Sequence, residues 1–389
     1  MDDRDDQFRP PPDPADRGPG GRPPVRPRRP ASASPNPPNG RIALVVAVFT
    51  VVILFGTGAI EFWTDAIWYE SVDFDGIFWT RVWASLALFV GGATITLVVL
   101  LGNLWIANRL APPSEGKPGS IRELFERLGQ AGLAVGDPRE RGGMSRPVLV
   151  NAEPLELPDL TPAATAALAA LSVLGALIVG GGAASAWDTV LLWLNRVPFQ
   201  AAAGASSVDP IFGRNVSWFL FDLPFLRTVQ TVFNALVLGG LLVAGGRYLA
   251  GAARTGFSVP SGVRVHLAVL AALYLLSVAF GYQLDKYELV YSTRGIAAGV
   301  SYTDQNAQFF AYDLLTVLSA FAAAFLVGAA FTRWTWPLGV TVATWFLASL
   351  FVGRLYPEVI QRLVVVPDQY NREQPYIANN IAMTRRAYG

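Results

Sequence analysis

Seven stretches of this chain are apolar for long enough to cross a bilayer, and its polar residues are gathered between them. They run over 42–60, 82–106, 163–186, 229–246, 265–282, 314–332 and 334–352. A hydrocarbon core of roughly 30 Å needs about 20 helical residues, and in lipid a helix satisfies its own backbone hydrogen bonds. Each stretch is therefore expected to be a transmembrane helix. The last two nearly touch, and Arg333, Trp334, Trp336 and Pro337 predict a tight interfacial turn joining antiparallel helices. The fold class is all-α, a polytopic transmembrane helix bundle of seven spans. Ala320, Ala324 and Gly328, or Gly180 and Ala184, are small residues at helical spacing that suit close helix approach, although Ala and Gly are common throughout.

The polar segments give the bundle a direction, because cytoplasmic loops retain Lys and Arg. Eight Arg precede the first span, seven basic residues lie in 109–146, three with no acid lie in 247–264, and Arg333 follows the sixth span; all fall on one face. The loop 61–75 has five acidic residues and no basic one. These counts place the N-terminus in the cytoplasm and, after an odd number of spans, residues 354–389 outside. Residues 1–40 carry 12 prolines and read as a disordered cytoplasmic tail, since they cannot bury enough apolar area to offset chain entropy. The seven-span domain occupies 41–353. In the second cytoplasmic loop, Ser120 with Glu123 makes a capping box ahead of Ile121, Leu124, Phe125 and Leu128, the spacing of a short amphipathic helix.

Composition narrows the chemistry. A chain that is 52% hydrophobic and 15% charged has too little polar surface for a soluble globule of 389 residues. Arg outnumbers Lys by 28 to 2, which fits a GC-rich bacterial genome and hence a bacterial plasma membrane. A net charge of +1 with no basic face argues against nucleic acid as a partner; the bilayer is the expected one, with envelope proteins or further copies of the chain beside it. Without Cys and with His266 as the single His, no metal centre, cofactor site or thiol nucleophile is expected. Ionisable residues fall at span ends rather than at the midplane, where a coupled pump would need them. Asn103, Gln230 and Asn234 are the polar exceptions, each suited to an interhelical hydrogen bond.

Two loops invite a functional reading. Asp73 and Asp75 form a DxD-like pair that could hold a divalent metal or act as a base in a lipid-linked sugar transferase, although an acidic outer loop also follows from topology. The segment 187–228 is crowded with Trp193, Phe199, Phe212, Trp218, Phe219, Phe221 and Phe225, which suits interfacial anchoring or a lipid-handling pocket. Within it, 190–197 or 216–226 could lie flat on the leaflet or re-enter. Near the C-terminus, 361–366 reads as a β-prone run, and Pro375 is placed to open a helix with Ile377, Ile381 and Tyr388 on one side.

Three loop blocks carry a resemblance. DPIFGRNVSWFLFDLPFLR at 209–227, YELVYSTRG at 287–295 with the following Gly299 and Tyr302, Thr303 and Asp304, and QRLVVVPDQYNREQPYIANNIAMTRRAYG at 361–389 resemble motifs of uncharacterised protein family 0182. The resemblance reaches from the first span to Gly389 and implies seven spans followed by a large extracytoplasmic region, of which 354–389 would be only the start. It carries over no catalytic or binding residue. The family usually has a glycine–aromatic pair where residues 72–75 stand, which weakens the sugar-transferase reading. The expectation is an envelope anchor or scaffold, with transport or lipid handling through 187–228 as the alternative.

Overall fold

A computed structural model describes residues 40–111, 161–200, 207–255, 260–332 and 336–388. Residues 1–39 of the expected tail, the expected amphipathic helix after Ser120, and Arg333 and Trp334 of the expected turn lie outside them. Among the described residues the secondary structure is helical, apart from turns and one isolated antiparallel bridge between Val208 and Asn215.

The chain divides into two compact units with the boundary after Asp73. The first holds α1, Gly40–Ser71, which contains the expected span 42–60 and then continues. Residues 61–71, expected as loop, are helical because they contain neither Gly nor Pro and extending an existing helix needs no new nucleus. The helix stops before Asp73, whose φ of +62° is a left-handed conformation that a short polar side chain tolerates.

The second unit contains α2 (Asp75–Leu110), α3 (Thr161–Ser185), α4 (Trp187–Leu194), α5 (Val216–Thr255), α6 (Ser261–Glu288), α7 (Phe309–Ala330), α8 (Trp336–Leu350), α9 (Tyr356–Ile360) and α10 (Gln369–Ala387). Among the described residues six stretches are long and apolar enough to cross a membrane: Asp75–Leu110, Thr161–Ser185, Val216–Gly251, Ser261–Tyr291, Asp304–Ala330 and Gly339–Ala387. Each overlaps one of the last six expected spans. Their outward surface is apolar, with Val98, Ile178, Leu242 and Phe321 each at least 65% exposed, the reverse of a soluble protein.

Packing follows the small residues. Helices α2 and α3 cross where Gly92 faces Gly180, and a Cβ built at Gly180 would lie 2.9 Å from the Phe89 carbonyl oxygen. The small-residue expectation therefore holds for Gly180. It fails for Ala320, Ala324 and Gly328, which are exposed, because α7 instead turns Ala322, Ala323, Leu326, Ala329 and Ala330 inward. From α5 to α8 each helix packs on its successor. Polar contacts at their ends show that neighbours run antiparallel: Arg227 near the start of α5 reaches Glu288 at the end of α6, and Tyr248 late in α5 meets His266 early in α6.

Three expectations are corrected. Residues 216–226 are not a separate segment; they form the first turns of α5, which accommodates Pro224. The β-prone run 361–366 is a π-helical turn, Gln361–Val365, running into a short 3₁₀ turn. A lone strand there would leave its backbone unpaired, whereas the coil pairs it internally and buries Val365 completely. Pro375 does not open a helix, since α10 begins at Gln369 and carries the proline inside it.

Candidate functional site

The polar residues that sequence spacing scattered over three loops meet at one end of the bundle. The first block folds as a tight turn. Asp209 Oδ1 accepts the backbone N–H groups of Ile211 (2.9 Å) and Phe212 (2.7 Å), Gly213 takes φ +65°, and Asn215 Oδ1 accepts the N–H of Ser217 to cap α5. An Asp-Pro start, a glycine four residues on and an Asn before an apolar run are the local turn and cap signals of this block.

The aromatic side chains of 187–228 turn mainly onto the protein. Trp193 stacks on Phe225 with ring centroids 3.8 Å apart and donates from Nε1 to Asp222 Oδ1 at 3.2 Å, while Arg196 pairs with the same carboxylate at 3.3 Å. This clasp ties α4 to α5. Phe219, Leu223 and Leu284 form a buried cluster to which Phe212, Trp218 and Tyr287 add their rings. The Arg214 guanidinium lies 4.4 Å above Trp218 and 4.7 Å from Tyr287. Interfacial anchoring therefore accounts for only the outward members, such as Phe199.

Asp304 is the hub of the second block and is fully buried. It accepts from Ser301 N (3.0 Å), Ser301 Oγ (2.8 Å) and Arg294 Nη1 (2.7 Å). Arg294 also donates to Gln308 Oε1, and Gln308 donates onward to the carbonyl of Gly353 at 3.2 Å, linking this block to the end of the last span. Thr303 Oγ donates to Gln361.

The third block closes the end. Glu373, 2% exposed, accepts the Tyr302 backbone N–H at 3.2 Å, and Asn380 Nδ2 donates to the Ala298 carbonyl at 2.8 Å. Gly295 permits this approach, since a Cβ there would sit 3.1 Å from Glu373 Oε2. Arg372 lies over the Tyr302 ring. Beneath the three blocks is a cavity of about 250 Å³ whose walls include Asp209, Phe219, Tyr291, Gly299, Tyr376 and Met383. It lies about two helical turns along α5 from the ion pairs that Arg227 makes with Asp285 and Glu288.

Other expected positions fall elsewhere. Asp73 ends the first unit and Asp75 opens α2, where its charge suits a helix N-terminus. Among the described residues no three His, Asp or Glu side chains are grouped to hold a metal. Asn103 and Gln230 make interhelical bonds, to His266 at 3.1 Å and to the Ser277 carbonyl at 3.1 Å. Asn234 Oδ1 is buried and finds no partner among the described residues.

Six membrane-length helices with an apolar outward face and a built polar end define a polytopic helical membrane protein. Its relatives are known by sequence: the model of the uncharacterised protein family UPF0182 matches residues 42–389, and the chain belongs to that family. It is 30% identical over 354 residues to a UPF0182 protein of Desulforamulus reducens, covering 90% of this chain and 36% of the relative. It is 32% identical over 370 residues to one from Arthrobacter sp. strain FB24, covering 93% and 33%, and 30% identical over 355 residues to one from Trichodesmium erythraeum, covering 90% and 34%. The chain thus spans about a third of the length of the curated relatives it matches. No solved structure matches it.

Proposed function

We propose that this chain is the membrane-embedded platform of a bacterial envelope protein, holding an extracytoplasmic part at a fixed position above the plasma membrane. In this reading α1 supplies a seventh crossing, the N-terminus is cytoplasmic, and the polar end that carries Asp304 and Glu373 faces outward. The observation that carries it is the clamping of α10: Glu373, buried from solvent, and Asn380 tie the helix beyond the last span to the loop between α6 and α7. A flexible tether would need no such bonds. Support also comes from the buried polar groups of that end, which are spent on one another: Asp304 on Arg294 and Ser301, Gln308 on Gly353.

The proposal predicts association. Crosslinking in native membranes followed by purification in mild detergent is expected to recover envelope proteins, or further copies of the chain, in stoichiometric amount. Recovery of the protein alone would overturn the platform reading. The topology has its own test, made clean by the absence of Cys. Thr293→Cys and Ser261→Cys place exposed thiols at opposite ends of α6, the first past its last residue and the second on its first. A membrane-impermeant maleimide is expected to label Thr293→Cys in intact cells and Ser261→Cys only after permeabilisation; the opposite pattern would reverse the orientation.

Lipid handling through 187–228 draws less support. Residues of that segment, including Asp209, Ile211 and Phe219, wall only part of the cavity, and about 250 Å³ is small for a two-chain lipid.

A further inference from the structure

The cavity at the polar end is too well furnished to be a packing gap. Three segments far apart in sequence wall it, and its volume of about 250 Å³ lies just below the roughly 300–1,000 Å³ of sites for drug-sized ligands. Ile211, Phe219, Val300 and Met383 give it an apolar lining, and Met adapts to the shape of what it touches.

Its polar groups combine free lone pairs with a single formal charge. Tyr291 donates its hydroxyl hydrogen to the Phe219 carbonyl at 3.1 Å, leaving the oxygen's lone pairs. Asn380 donates one Nδ2 hydrogen to the Ala298 carbonyl, leaving Oδ1 and the second amide hydrogen. Asp209 holds Ile211 and Phe212 through Oδ1, and among the described residues Oδ2 takes no donor. Asp209 is also the one charged residue in the lining among those described. The unspent capacity therefore includes three acceptors, one of them a carboxylate oxygen, beside neutral amide and hydroxyl donors on Asn379, Asn380 and Tyr376. An ammonium group offers three donors and a positive charge, and the rings of Phe219, Tyr291 and Tyr376 add faces on which a cation is favoured. A carboxylate or phosphate would meet the like charge of Asp209.

We propose that this cavity binds a small primary amine on a compact apolar body, with the ammonium directed to Asp209 and the body against Phe219 and Met383. Access from the aqueous side rests on the outward orientation proposed above, the cavity lying about two helical turns along α5 beyond the Arg227 ion pairs.

The test uses the full chain in lipid nanodiscs, with 2-phenylethylamine as probe and 3-phenylpropionate as its carboxylate counterpart, read by isothermal titration calorimetry. The amine is expected to bind saturably and at least tenfold more tightly than the carboxylate. Asp209→Asn keeps an Oδ1 acceptor for the turn and removes the charge, so the amine should weaken about tenfold while the unfolding midpoint holds. Met383→Trp fills the cavity from α10 without touching that turn and should abolish binding. Equal binding of amine and carboxylate, no saturable binding of the amine, or amine affinity unchanged in both variants would each overturn the proposal.

Discussion

Asp304→Ala is expected to loosen the whole polar end of the bundle and to cost about 3 kcal/mol of stability, near the low end of the range for breaking a buried ion pair. The low end applies because the pair is asymmetric: Asp304 is fully buried, but Arg294 keeps 34% of its side chain exposed and can turn its charge to water. The Ser301 N–H and hydroxyl have no such escape, and each is left in a dry site without its acceptor. Asp304→Asn retains an acceptor for Ser301 and should cost less, about 1–2 kcal/mol. Thermal unfolding in detergent, followed by Trp fluorescence, reads both variants. The alanine variant should also expose α10 to protease before the spans unfold, since the loop that holds Glu373 and Asn380 is organised by Asp304. An unchanged midpoint with α10 still protected would remove Asp304 from its place as the hub.

The second large effect lies inside the bundle. Gly180→Val is expected to force α2 and α3 apart, at the upper end of the about 1–3 kcal/mol usual for overpacking. Its Cβ would fall 2.9 Å from the Phe89 carbonyl oxygen and 2.9 Å from Ala93 Cβ. Backbone cannot step aside as a flexible side-chain tip does. Gly181→Ala supplies the contrast, because nothing lies within 4 Å of a Cβ there. It should be neutral or gain up to about 1 kcal/mol from helix propensity. If the two variants shift the midpoint equally, the crossing of α2 and α3 is not held by close backbone approach.

The comparison between Gly180 and Gly328 shows where sequence reading stops. Both sit among small residues at helical spacing, yet Gly180 lies in a contact and Gly328 faces outward with nothing within 4 Å. Spacing defines a face without saying whether a neighbour uses it. The same holds for the aromatic segment, whose density suited a membrane interface while Phe219 went into a buried cluster with Leu284 of α6. At 361–366 the residues favoured strand by local preference, and a helical path won because the bundle offers an isolated strand no partner.

Sequence alone determined the class of this protein. Hydropathy sums over a segment, and a helix in lipid pairs its own backbone, so span-length helices over six of the expected stretches required no knowledge of their neighbours. Family membership was likewise carried by blocks readable in order along the chain. The meeting of those blocks was decided only by the tertiary structure. Glu373 and Tyr302 are 71 residues apart, and Tyr291 and Phe219 are 72 apart, so neither contact has a local signal. Whether a charge at a span end turns to water or becomes a buried hub depends on which partners arrive to satisfy it. Here antiparallel packing brings the ends of α5, α6 and α7 together with α10, and that convergence buries Asp304 and shapes the cavity.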